Sequence, residues 1–219
     1  MLRFIVMRKI ILLLGAIMMI AIVPAMAQVE FGVRVGGAYS SLIQKINRTY
    51  ESGARFGYSV AGLADIHLKN RWSLRPEIAI INQGGSYYSA QSIDGMSLYN
   101  SCKYYSLQIP VNVAYNFMFT DVRLSVFGGP VFDWSFAGKM DSREQNSDLL
   151  FGMTAEKDLK PCDFGISLGL AVEYSNFFFS INSICGAIDR RAVKREGETS
   201  VYQNNVTLSL GYFFRKKVK

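Results

Sequence analysis

KYYSLQIPVNVAYNFMF, residues 103–119, is the stretch whose pattern decides the fold. Every second residue is apolar or aromatic: Tyr105, Leu107, Ile109, Val111, Val113, Tyr115, Phe117 and Phe119. Between them stand Tyr104, Ser106, Gln108, Pro110, Asn112, Ala114, Asn116 and Met118, most of them polar or small. Successive side chains of a strand point to opposite faces, so unbroken alternation means a β-strand with two different surroundings. The run far exceeds the usual strand of about 5–6 residues. It suits a tilted strand crossing a bilayer, which needs about 9–11 residues plus its ends. Tyr105 at one end and Tyr115 and Phe117 at the other flank the apolar face, as rings do at the two headgroup levels of a membrane barrel.

The same alternation recurs along the chain. Residues 31–39 set Phe31, Val33, Val35 and Tyr39 against Arg34 and small residues. Residues 55–68 set Phe56, Tyr58, Val60, Ile66 and Leu68 against Arg55, Ser59, Asp65 and His67. Residues 72–82 set Trp72, Leu74, Pro76, Ile78 and Ile80 against Arg75 and Glu77. Residues 122–136 place Val122, Leu124, Val126, Phe132 and Trp134 opposite Arg123, Ser125 and Asp133. Residues 161–174 alternate Phe164, Ile166, Leu168, Leu170 and Val172 with Asp163, Ser167 and Glu173. Residues 177–189 and 200–214 complete the set, the last with Tyr202, Val206, Leu208, Leu210, Tyr212 and Phe214 opposite Gln203, Asn205, Thr207 and Ser209.

Between these strands the connections alternate in length. Residues 69–71, 120–121 and 175–176 are tight turns, whereas 40–53, 83–101, 137–160 and 190–199 read as long polar loops. Short turns at one end, long loops at the other and an even strand count are the plan of outer-membrane barrels. The expected fold is all-β: an eight-stranded antiparallel transmembrane up-and-down β-barrel. A soluble lipocalin-like barrel would invert the faces, apolar in and polar out. Its solvent face would carry charge, yet the polar faces of 103–119, 161–174 and 200–214 are mostly Ser, Asn, Gln, Gly and Thr. Pro76, Pro110 and Pro130 fall inside strands, where each removes a ladder bond. A closed barrel offers no edge strand to host them, so bulges are expected there.

Four motifs occur in order: Y-x-L-Q-I-P at 105–110, G-G-P at 128–130, D-x-G-x-x-x-G-x-x-x-E-Y at 163–174 and N-x-x-L-x-L-G-Y-x-F at 205–214. Together they resemble the PorT-type outer-membrane β-barrel proteins of Bacteroidetes, over essentially the whole mature chain. The resemblance implies an eight-stranded barrel in which strand-internal prolines are a family feature. It implies little about activity. PorT itself is tied to protein secretion across the outer membrane, a role that a shared barrel does not carry over.

The organisation expected is a signal peptide over 1–27, a barrel over 28–214 and a basic tail over 215–219. Arg3, Arg8 and Lys9 precede an apolar run over 10–23, and Ala25 and Ala27 stand where a signal peptidase reads small residues, so cleavage is expected before Gln28. The net charge of +7 is confined to the termini: the signal holds three basic residues and the tail four, leaving 28–214 neutral. That distribution argues against nucleic acid as a partner. The three cysteines, Cys102, Cys162 and Cys185, are an odd number and form no C-x-x-C. Cys102 and Cys162 both fall near strand tops at the long-loop end, and their pairing stays open. With His67 the only histidine, no metal site is implied. No cofactor is implied either.

Arg34, Asp65, His67, Arg75, Glu77, Arg123, Asp133, Asp163 and Glu173 all fall on inward faces. A buried charge must be paired, so a lumen network of ion pairs is expected, the alternative being an ion-selectivity ring. An eight-stranded interior is just wide enough for side chains to fill. Catalysis on a lipid A-type substrate would need a base beside a nucleophile, and His67 near Asp65 is the sole candidate base. The reading is therefore a non-enzymatic barrel with a structural or interaction role, the alternative being an accessory of secretion or transport. The partners expected are outer-membrane lipid, the barrel-assembly machinery during biogenesis and a protein met through the external loops.

Overall fold

The structure is a computed structural model describing residues 29–46, 49–93, 96–141, 146–194 and 198–215. The expected signal segment 1–27 and tail residues 216–219 lie outside the described residues. The strands are β1 (Val29–Ile46), β2 (Thr49–His67), β3 (Trp72–Ile93), β4 (Met96–Met118), β5 (Val122–Asp141), β6 (Asn146–Asp148), β7 (Cys162–Tyr174), β8 (Phe177–Gly186) and β9 (Val201–Phe213). Eight of them pair antiparallel in a ring, closed where β9 meets β1. The three-residue β6 pairs only with the far end of β5, beyond the ring.

The faces decide between membrane and water. Phe31, Ile78, Phe164, Ile166, Leu168 and Leu210 are exposed on the outside, Leu168 by 65% and Ile166 by 68%. The inside is polar: Ser59, Asp65, Gln83, Ser106, Asn112, Ser167 and Ser209 are all buried. This is the inverse of a soluble barrel. Rings gather near both rims of the apolar band. Trp72 packs on Tyr115, and Phe177 on Tyr212, each with centroids 5.0 Å apart at the short-turn end. Tyr39 packs on Phe56 at 5.0 Å and Trp134 on Phe136 at 5.8 Å toward the other end. Two of the short turns use a residue at positive φ, Asn70 at 64° and Ser175 at 57°, the left-handed conformation a tight reversal needs.

Two expected loops are strands. Residues 40–53 and 83–101 continue β1–β2 and β3–β4 as long hairpins, with pairs running to Ile46↔Thr49 and Ile93↔Met96. Alternation is written only where the two faces meet different media. In the extensions the inward residues Ser40, Leu42, Gln44, Gln83 and Tyr87 are still buried, but polar and small residues fall on that face as well as on the outer one, so the ladder continues without a written alternation. Gly84 and Gly85 lie in the β3 extension, at φ 151° and 157°, a region open to glycine. There β3 leans over the lumen toward β1: Gly84 N–H donates to Ser40 Oγ at 3.0 Å, and a Cβ on Gly85 would stand 2.4 Å from Leu42 N.

The prolines do not sit at bulges. The β3–β4 register runs Pro76↔Val111 and resumes at Ala79↔Gln108 without a shift, and β4–β5 runs Pro110↔Val131 and resumes at Val113↔Gly128 likewise. Register shifts occur elsewhere, between Gly53 and Ser59 and between Tyr105 and Ser106. A missing N–H deletes a bond without requiring an extra residue. The prolines lie on three adjacent strands, so the deleted bonds fall in one patch at mid-barrel.

Candidate functional site

The candidate site is the barrel interior, which is built in layers. Nearest the short-turn end, Arg75 Nη2 donates to Asp65 Oδ2 at 2.8 Å, and Arg123 Nη2 donates to the same oxygen at 3.0 Å. Arg123 also donates through Nε to Glu173 Oε2 at 2.9 Å. Phe213 points inward among these cations, its ring centre 5.9 Å from the Arg75 guanidinium and 5.6 Å from that of Arg123. One step further in, Arg34 donates through Nε and Nη2 to one Glu77 oxygen, Oε1, and through Nη1 to Ser209 Oγ at 2.9 Å.

Above this pair amides and hydroxyls surround the remaining charges, Asp133, Asp163 and Arg190. Gln83, fully buried, donates to Asp133 Oδ2 and to Ser106 Oγ, both at 2.9 Å, and accepts from Asn205 Nδ2 at 3.0 Å. Gln108 donates to the same Asp133 oxygen at 2.8 Å. Arg190, from the segment after β8, is also fully buried and donates to Ser135 Oγ at 2.7 Å. Asp163 accepts from the Ile188 N–H at 3.0 Å, which ties that segment to the barrel wall. Above lies an apolar cap of Leu42, Tyr87, Cys102, Tyr104, Met140, Leu149, Leu159 and Val201, with Phe151 packed on it. Leu149 and Leu159 come from the stretch after β5 that folds back over the opening.

Of the inward charges read from sequence, Arg34, Asp65, Arg75, Glu77, Arg123, Asp133, Asp163 and Glu173 are buried in the lumen. His67 is half-buried at the mouth, its Nε2 3.1 Å from Glu30 Oε2 and 3.5 Å from Arg123 Nη1. Glu30, Arg190 and Arg215 belong to the same interior without having been singled out. Glu30 stands in register with Asp65 one strand over, and the period extended by one step back from Gly32 places it inward. Arg190 and Arg215 lie beyond strand ends, where periodicity says nothing. Arg215, the first residue of the expected basic tail, pairs with Glu173 and, at 2.6 Å, with Glu30. Burial alone would lower its pKa, but hydrogen bonds and charge from Glu173 and Glu30 outweigh that and raise it.

The open space is unequal. Two mid-lumen cavities measure about 10 Å³ each, room for roughly one water. A cavity of about 490 Å³ at the short-turn mouth is lined by His67, Arg71, Arg123 and Arg215 among others. All three cysteines are free: Cys102 is buried in the cap, Cys162 half-buried and Cys185 exposed.

Solved structures similar to this chain are outer-membrane barrels. Ail, the attachment invasion locus protein of Yersinia pestis, is 16% identical with a TM-score of 0.44, over 85% of this chain and 99% of that one. Neisserial surface protein A is 14% identical with a TM-score of 0.47, over 83% and 96%. OprG of Pseudomonas aeruginosa is 13% identical with a TM-score of 0.48, over 87% and 98%. No curated protein matches the sequence. The model of the outer membrane protein beta-barrel domain matches residues 25–186, and the chain belongs to that family.

Proposed function

We propose that this chain is a non-enzymatic outer-membrane barrel whose lumen is closed by its own side chains and which works through its outer surface. One observation carries the reading: the Gln83–Asp133–Gln108 layer lies across mid-lumen, and two cavities there among the described residues measure only about 10 Å³ each, room for roughly one water. The short-turn end then faces the periplasm, and the β1–β2 and β3–β4 hairpins and the cap face out. The basic and apolar start of the chain supports export, with cleavage before Gln28. What the protein offers a partner is the β3–β4 hairpin and the segment 137–160. Planar-bilayer recordings of the refolded chain test this reading. Background conductance is expected, and steady openings of porin size would overturn it.

A second reading, an accessory of secretion or transport of the PorT kind, is favoured by the four ordered motifs between Tyr105 and Phe214. Copurification in mild detergent separates the two, because an accessory brings its machinery with it. A lipid A-modifying activity would have to use His67. Its contacts are Glu30 and Arg123, at the mouth far from the outer leaflet. Incubation with lipopolysaccharide is expected to leave the acyl pattern unchanged.

A further inference from the structure

We propose that Lys103 and Lys139 form a binding site for the phosphate groups of outer-leaflet lipid. The two residues are direct partners across the β4–β5 pair, and both side chains are exposed on the outward face. Like charges directly opposite on one face of a sheet repel and destabilise it. Among the described residues neither lysine has an ion-pair partner within 4.0 Å. The acidic groups nearby are Asp148, opposite Lys139 on β6, and Asp141, two residues further along β5. Lys103 gains nothing from its other flank, where its partner is Gly84.

The height of the pair supplies a counter-charge that Lys103 lacks within the sheet. Directly below it on the same outward face are Tyr105, whose hydroxyl lies 3.1 Å from that of Tyr58, and the packed rings of Trp134 and Phe136. Such rings mark the headgroup level of a membrane barrel. Two ammonium groups on flexible stems just above it suit a phosphate as compact, strongly hydrated point charges. The site rests on the proposed orientation, in which this end faces out, so the phosphates are those of the outer-leaflet glycolipid.

The test is native mass spectrometry of the folded full chain in micelles, with bisphosphorylated lipid A or its dephosphorylated form as probe. The wild type is expected to retain the bisphosphorylated lipid roughly tenfold better than Lys103→Gln/Lys139→Gln. That variant should hold both lipids alike, and Lys103→Arg/Lys139→Arg should keep the preference. Equal retention by wild type and double glutamine variant would overturn the site. So would equal displacement of the lipid by excess inorganic phosphate, which would indicate a free-anion site. Without lipid, Lys103→Gln alone should unfold at the same or higher urea concentration than the wild type. A lower midpoint would mean that Lys103 supports the fold, and would also overturn the proposal. Heat-modifiable migration of the wild type reports the barrel separately, so failure here leaves the filled-barrel reading standing.

Discussion

Phe213 lies directly opposite Gly32 across the β1–β9 pair, and a Cβ on Gly32 would fall 2.9 Å from its ring. The arrangement repeats. Phe127 faces Gly169, and Phe178 faces Gly211, with a Cβ 2.5 Å and 2.1 Å from the respective rings. Three inward phenylalanines thus lie over three glycines in a lumen with room for one side chain per pair.

Gly32→Val and Gly211→Val are therefore expected to destabilise by about 1–3 kcal/mol each, the usual cost of overpacking. Gly37 and Gly62 are the controls, since a Cβ at either meets nothing within 4 Å. Their replacement by Ala should change stability by no more than about 0.5 kcal/mol. Urea titration of the barrel in lipid vesicles measures all four. Equal losses at the two sets would show that the ring–glycine pairs do not govern the packing.

Arg34 and Glu77 make a second paired test. Both are buried, so removing one leaves the other uncompensated. Arg34→Leu alone is expected to cost about 3–5 kcal/mol, while Arg34→Leu/Glu77→Leu should recover most of that loss. The same titration gives the coupling. A double variant as unstable as the single would mean that Ser59 and Ser209, which also accept from Arg34, matter more than the ion pair.

The lipid face gives a third. Leu168 and Val111 point outward, next to the buried Ser167 and Asn112. Arginine at either outward site should cost about 2–4 kcal/mol if it lies at the bilayer midplane. Ser167→Ala should cost less, because only its hydrogen bond to Asn182 is lost. Location is read separately: single cysteines at 111 and 168, in a background without the native three, should resist water-soluble maleimide in folded protein. Ready labelling at both would contradict a membrane-facing surface.

Where the two faces differ in medium, the strands were legible. Every outward residue from Phe164 to Val172 followed from alternation alone, and so did the inward positions of Arg34, Asp65 and Glu77. Gln83 was not legible, though it is the hub of the central layer. It stands beside Gly84 and Gly85 in a run whose composition reads as loop, and its role depends on β3 leaning across the lumen. Arg190 and Arg215 were hidden for a related reason. Each enters the interior from an irregular segment, so its place is set by tertiary folding and by partners distant in sequence, such as Ser135 and Glu173.

The cap and the polar layer beneath it are the two barriers on which the proposed closure rests, and they can be separated. Leu149, Phe151 and Leu159 come from one stretch, so replacing residues 142–160 with a short turn removes that side of the apolar cluster. The Gln83, Gln108 and Asp133 layer is held by β3, β4 and β5 themselves and does not depend on that stretch. The shortened barrel is expected to fold with lower stability, because buried Leu side chains contribute about 1.5–3 kcal/mol each. Its conductance should nevertheless stay at background. Adding Gln83→Ala and Gln108→Ala removes the two side chains that bond Asp133 from β3 and β4 and leaves Asp133 with Ser135. Ion flow should appear only in that combined variant. Porin-like conductance from the cap deletion alone would place the barrier in the cap and not in the lumen.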